Sequence, residues 1–254
     1  GPELGTSAFG SFIGGTLSVL GLMILAPPLA KFAIQFGPPE YFALIFCGLS
    51  ILIYLAKGSV LKAIAMALIG LFLGTIGSDF ITGQLRFTFG NLTLMDGIGL
   101  VPVVMGLFGI AEVLENLEQT LQRDVFMTSY SGLLPNRKDW KVSIGPISRG
   151  SILGFFLGIL PGGGAVISSF ASYAVEKRLS KHPELFGKGT IEGVAGPETA
   201  NNAATGGAFI PLLTLGLPCN AVMALVLGAL LIHGVQPGPL LMKQNPDLFW
   251  GVVA

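Results

Sequence analysis

The chain has 254 residues, of which 52% are hydrophobic and only 11% charged, with a formal net charge of zero. Soluble domains carry about 25% charged residues, so the composition excludes an ordinary soluble domain and predicts an all-α polytopic membrane protein; with zero net charge, nothing suggests a nucleic-acid partner. Cys47 and Cys219 both lie in apolar runs, where the expectation is two buried small residues and no disulfide.

In chain order, Leu4 to Ala30 is free of charge and is expected to end at Pro27-Pro28. It carries Gly10 and Gly14 at the spacing that lets helices approach closely in lipid. A loop follows, and Glu40 opens the next helix, where an acid complements the dipole. Spans are expected at about 38–56, 59–77 and 94–114. Asp96 falls in the first turn of the last of these and Glu112 in its final turn, positions that favour dipole-complementing, interfacial roles over ion ligation. Leu114, Leu117 and Leu121 then recur at helical spacing among polar residues, the pattern of an amphipathic segment leaving the membrane. The expected organisation is a four-helix region at 1–114, a cytoplasmic interfacial segment at 115–148, a transport core at 149–242, and the start of a further span at 243–254.

Two apolar segments in the core are each interrupted in the middle. Residues 150–175 hold 26 positions without charge between Arg149 and Glu176, broken by Pro161, Gly162, Gly163 and Gly164. Proline removes a donor and glycine loses the most backbone entropy, so a helix does not run through this sequence. Each half spans about 16 Å, roughly half a bilayer, which predicts a re-entrant hairpin. The second charge-free run, from Thr199 to Met242, is 44 residues long. Its Gly216-Leu217-Pro218-Cys219-Asn220 centre precedes a strongly helical stretch, so a broken helix over 199–232 is expected, with Asn220 capping its second half. Irregular backbone at membrane depth survives only when buried in protein or lining a wet cavity, and two such breaks point to a secondary transporter site within an inverted-repeat fold.

Lys and Arg set the orientation. Of fourteen, eleven fall in 57–62, 115–149 and 176–198, and three, Lys31, Arg86 and Lys243, in the alternate loops. The positive-inside rule places the eleven in the cytoplasm. Both flanks of 150–175 are then on one side, as a hairpin requires.

At the breaks, helix N-termini after Gly164 and Pro218 suit a carboxylate, and the helix ends before Pro161 and Leu217 offer carbonyls to Na⁺. Gly162, Gly163, Gly164, Ser168, Pro218 and Asn220 are the expected substrate-binding residues. Asn201, Asn202, Thr205 and Gly216 are the expected ion-binding ones. Ser169 and Ser172 read equally as helix-packing or site hydroxyls, and His233 as interfacial. The glycine run lacks the Gly-Lys-Ser/Thr of a phosphate loop, and no HExxH, Gly-x-Ser-x-Gly or metal cluster occurs, so neither an enzyme nor a bound cofactor is expected.

The stretches Gly37 to Leu44, Arg86 to Gly90, Gly106 to Val113, Leu160 to Gly164, Gly196 to Ala203, Ile210-Pro211, Leu215 to Pro218 and Gly238-Pro239 together resemble the large membrane subunit of the tripartite tricarboxylate transporters, the TctA family. Where that family commonly continues Gly-Ser after the broken-helix proline, this chain has Cys219-Asn220. The resemblance implies a cation-coupled importer of tri- or dicarboxylates in a bacterial inner membrane, driven by Na⁺ or H⁺. It further implies a small membrane partner subunit, a periplasmic solute-binding protein, and a parent chain about twice as long. An ion channel with the glycine loop as filter and a non-transporting scaffold subunit are the rival readings.

Overall fold

The computed structural model describes residues 2–55, 59–79, 82–118, 134–162 and 164–253. Apart from one two-residue strand pair the described elements are helical, and three helices are long and apolar enough to cross a membrane: Glu3–Ala33, Leu100–Glu118 and Arg137–Ile159. The chain is an all-α membrane protein, folded as two compact units.

The first unit comprises Gly1–Phe36, Leu121–Met223 and Val235–Ala254. It holds α1 (Pro2–Ala33), α7 (Arg137–Ile159), α8 (Gly164–Leu179), α9 (Glu192–Leu215), the start of α10 (Ala221–Ile232), and the short α11 (Leu241–Gln244) and α12 (Pro246–Val253). Residues 243–254, where the start of a further span is expected, hold the end of α11 and all of α12, and α12 packs against α1. At its centre is α9, packed by α1, α7 and α8. Its sequence explains how one helix takes three neighbours: Ala195, Gly196, Ala200, Ala203, Ala204, Gly206, Gly207 and Ala208 are all buried, and small side chains let backbones come close where lipid removes the hydrophobic drive for association.

Close approach is explicit on α7. A Cβ added at Gly150, Gly154 or Gly158 would lie 2.4, 2.2 or 2.1 Å from the carbonyl oxygen of Gly196, Ala200 or Ala204 respectively. The increasing pairs show that α7 and α9 run parallel. On α1, the Gly10 and Gly14 pair packs on Thr199, and Gly206 of α9 packs on Ser18, so the spacing serves packing within the chain.

Several expected boundaries shift. The first helix continues through Pro27-Pro28 to Ala33, because Leu22, Ala26, Ala30 and Ala33 bury one continuous face that outweighs the lost backbone donors. The first hairpin arm starts at Arg137, thirteen positions before the charge-free run. Asn136 caps it, accepting from Lys138 N–H at 2.8 Å and Asp139 N–H at 3.1 Å, while Asp139 accepts from Asn136 N–H at 2.9 Å. This capping box fixes the start inside the segment expected to be interfacial. Likewise α9 begins at Glu192, seven residues ahead of Thr199.

The second unit, Gly37–Thr120 with Ala224–Gly234, holds α2 (Pro38–Leu55), α3 (Val60–Leu73), β1 (Gly77–Ser78) paired antiparallel with β2 (Leu85–Arg86), α4 (Leu92–Met95), α5 (Leu100–Val104), a π-helical turn (Met105–Ile110), α6 (Ala111–Glu118) and most of α10. Glu40 accepts from Gly37 N–H at 2.8 Å. Asp79 pairs with Arg86 across the strand turn. Asp96 is not in the first turn of the fourth span: it ends the single turn of α4, and Gly97, at φ +80°, restarts the chain before Leu100. Left-handed backbone is glycine's region, so the helix expected from Leu94 is split there. Leu114 and Leu117 continue the span within α6, while Leu121 lies outside the described residues. Cys47 is exposed on α2 rather than buried, on an apolar face shared with Phe42 and Phe46; apolar surroundings in sequence here mean an apolar outer face. The two cysteines are unbridged.

The α7–α9 contact yields a stability prediction. Gly154→Ala puts a methyl against Ala200 and should cost about 1–3 kcal/mol as overpacking, although alanine is the better helix former. Gly70→Ala, where nothing lies within 4 Å, should be neutral or stabilising by about 0.5–1 kcal/mol. Thermal unfolding of both variants in detergent checks the ranking; equal midpoints would contradict the close packing.

Candidate functional site

The two interruptions meet. Helix α7 ends as Leu160 turns extended, at φ −76° and ψ 135°. Gly162 adopts φ +74° and Gly164 φ +48°, conformations that make glycine the fitting residue. Gly163 lies outside the described residues. At this tip the N–H of Gly162 donates to the carbonyl of Cys219 at 2.9 Å. The Cys219 thiol, buried, approaches the carbonyls of Gly158 at 3.5 Å and Ala208 at 3.4 Å. The Pro218-Cys219-Asn220 link therefore closes over the hairpin tip, one main-chain bond joining the two breaks.

Two helices start at this junction. Helix α8 begins at Gly164 and α10 at Ala221, and Asn220 caps the latter, its Oδ1 accepting from Met223 N–H at 2.9 Å. Unpaired N–H groups at both starts carry partial positive charge. No Lys or Arg occurs in 150–175 or 199–242, so main chain, hydroxyls and amides are what the junction offers.

The remaining candidates divide. Asn201 Nδ2 donates to Ser169 Oγ at 3.3 Å, and Ser169 in turn reaches the carbonyls of Ala165 and Pro197, so α8 and α9 share a polar link just below the tip. Ala204 packs on Gly158, one turn before the tip, which brings Asn201 and Thr205 within about two helical turns of it. Thr205 is exposed and its hydroxyl lies 3.4 Å from the carbonyl of Asn201. Asn202 bonds back to the carbonyl of Glu198 at 3.1 Å. Ser168 is fully buried and donates to the carbonyl of Gly164 at 2.8 Å, spending its proton within its own helix. Gly216 stands apart from the tip: at φ +72° it terminates α9, and a Cβ there would be 2.7 Å from the carbonyl of Pro237. Its glycine is accounted for by the cap and by the returning Pro237-Gly238 segment. Pro218 is half-buried, and His233 is exposed at the end of α10.

One pairing was not anticipated. Arg149 and Glu176, which delimit the charge-free run, bond to each other across the hairpin: Nε to Oε1 at 2.8 Å, with Nη2 on Oε2. Glu176 is 2% exposed. Glu192, held by Ser180 at 2.8 Å, also acts electrostatically on Arg149. The charges and their common side were legible in the sequence; the bond between them was not.

A protein of Agrobacterium vitis described as an uncharacterized 52.8 kDa protein in the TAR-I ttuC' 3' region is 54% identical over all 254 residues, which cover 51% of that relative. A second Agrobacterium vitis protein, described as uncharacterized in the TAR-II ttuC' 3' region, is 61% identical over 101 residues, 40% of this chain and 42% of the relative. The chain thus spans about half the length, or less, of the curated relatives it matches. No solved structure matches. The family model described as the tripartite tricarboxylate transporter TctA family matches residues 2–254, and the chain belongs to that family, a transporter membrane component.

Proposed function

We propose that this chain forms part of the permease of a binding-protein-dependent tripartite transporter, importing tri- or dicarboxylates across the bacterial inner membrane by symport with a cation, Na⁺ in the first instance. The observation that carries this reading is the bond from Gly162 N–H to the Cys219 carbonyl, which sets the start of α8 beside the start of α10. Each start contributes about half a positive charge, and together they suit one carboxylate group. A bare carboxylate is costly to bury, and a second or third negative charge has no fixed cation to meet in either apolar segment. Co-bound cations balance that charge, and linkage makes the coupling reciprocal: each ligand raises the affinity of the other by the same factor. The Asn201–Ser169 link and Thr205 are the side chains nearest the tip for the cation role. The small membrane subunit and the periplasmic solute-binding protein are the partners the family implies.

Uptake of labelled di- and tricarboxylates by the assembled transporter, in sodium and in choline buffers, tests the mechanism. Asn220→Ala should cost about 1 kcal/mol as a lost cap and weaken both carboxylate affinity and its Na⁺ dependence; Asn220→Asp, which keeps a capping oxygen but adds a negative charge at the anion site, should retain stability and lose uptake. Equal wild-type uptake in both buffers, with no proton dependence either, contradicts coupled transport and favours a channel. Intact assembly with no uptake in the wild type favours a scaffold.

The hairpin makes a separate prediction on sidedness. Single cysteines at the exposed positions Ser148 and Leu179, in a chain lacking Cys47 and Cys219, should both be shielded from a membrane-impermeant thiol reagent outside intact cells. Labelling of one alone would contradict a hairpin open to the cytoplasm.

A further inference from the structure

The base of the hairpin holds a second polar cluster, separate from the tip. Glu176 is 2% exposed, and a buried carboxylate is costly unless paired. Its partner is placed very differently: the Arg149 side chain is 44% exposed. The guanidinium has a path to water that the carboxylate lacks, and Glu192 stands near enough to act on it electrostatically.

One turn towards the tip, on the same buried face of α8, lies Ser172. It is 1% exposed and its hydroxyl has no hydrogen-bond partner among the described residues. That departs from its neighbours. Ser143, Ser151, Ser168, Thr199 and Thr214, all buried, each donate to the carbonyl four residues earlier. Opposite Ser172 and Glu176, α9 presents Gly196. A Cβ there would lie 2.8 Å from Glu176 Cγ and 3.0 Å from Ser172 Oγ, so any side chain would press on both residues.

We propose that Glu176 and Ser172 form a binding site for a Na⁺-sized monovalent cation, with Arg149 as the tethered charge that neutralises Glu176 while the cation is absent. The ligands are oxygens, which suit hard cations. A single buried carboxylate balances one charge; a divalent ion would leave an uncompensated positive charge in a buried site. Cation entry releases Arg149 towards water and Glu192, so the carboxylate keeps one counter-charge throughout. The exchange also changes what ties α7 to α8, placing cation occupancy in control of the hairpin base. This use of the cation rests on the transport reading; binding itself does not.

The test uses the intact chain purified in detergent, with no carboxylate present. Thermal unfolding is followed across a NaCl titration balanced by choline chloride at constant ionic strength. The wild type should be stabilised saturably by Na⁺. Ser172→Ala should be at least as stable as the wild type in choline, because it removes an unsatisfied buried hydroxyl, yet its half-saturating Na⁺ concentration should rise about tenfold for one lost ligand to a charge. Arg149→Gln should be destabilised in choline and recover most of the loss in Na⁺, which supplies the missing charge. An absent Na⁺-specific shift in the wild type, an unchanged half-saturation in Ser172→Ala, or an Arg149→Gln loss equal in both salts would each overturn the site. Since uptake is not the readout, a chain that transports carboxylate normally but fails here loses this site alone.

Discussion

The first unit depends on one constraint, the absence of side-chain volume between α7 and α9. At Gly150, Gly154 and Gly158 the hydrogen standing where a Cβ would be points at a carbonyl oxygen of α9, giving three successive Cα–H···O contacts. Each is worth about 0.5–1 kcal/mol, close to what glycine costs relative to alanine in a helix. The dispersion attraction between the two closely spaced backbones then comes at little net cost, and in lipid it replaces the hydrophobic drive as the source of association. Because the contacts recur every four residues, they also fix register. A slip of one residue would set Cβ atoms against carbonyls, so the level at which the hairpin tip meets α9 is set far from the tip itself.

That register decides what the breaks can do. With Gly158 on Ala204, the tip projects just beyond it, alongside Ala208, and the chain returning from Gly216 closes over it through Cys219. A proline or glycine break exposes main-chain groups that must find partners at membrane depth. Here each break supplies part of what the other lacks: the tip's N–H meets a carbonyl of the link. The starts of α8 and α10 stand at this junction, and Asn220 caps the second by accepting from Met223 N–H. Packing and the candidate site thus draw on the same few backbone atoms, and Cys219-Asn220, where the family commonly has Gly-Ser, falls at this packed junction.

Much of this was readable from sequence, and the exceptions share a cause. The all-α membrane character, the two breaks and the Asn220 position follow from local chemistry, because proline, glycine and the absence of charge act within a turn or two; the spans follow less well, since the expected spans at 38–56 and 59–77 are shorter apolar helices. The family follows from motifs spread along the chain. The helix ends did not follow where tertiary packing overrides local preference: Pro27-Pro28 sits inside α1 because Ala26, Ala30 and Ala33 are buried, and Arg137 opens α7 because a capping box outranks charge. Asp96 was misplaced because Gly97 reads as a tolerable helix glycine until its positive φ is seen. Ser168 and Ser172 are indistinguishable as letters. Among the described residues one hydroxyl is satisfied within its own helix and the other is not, a difference that the sequence does not carry.

Arg149 and Glu176 carry this point furthest. Read linearly, they mark where an apolar run begins and ends. Their separation, with the turn between, places both at one level only if the arms are antiparallel and of matched length, which the α7 register against α9 enforces. A hairpin whose base is closed by an ion pair between a shielded carboxylate and a half-exposed guanidinium is asymmetric in what it can lose. Removing the arginine strands a charge in a buried site, whereas removing the glutamate leaves a guanidinium that water can take. The closure is therefore conditional on some positive charge at Glu176, and it is not tied to Arg149 in particular. A purely structural clamp would be served as well by packed apolar residues of similar volume. An ion pair in this place, next to an unsatisfied hydroxyl and opposite a glycine, has the composition of a contact that can be exchanged.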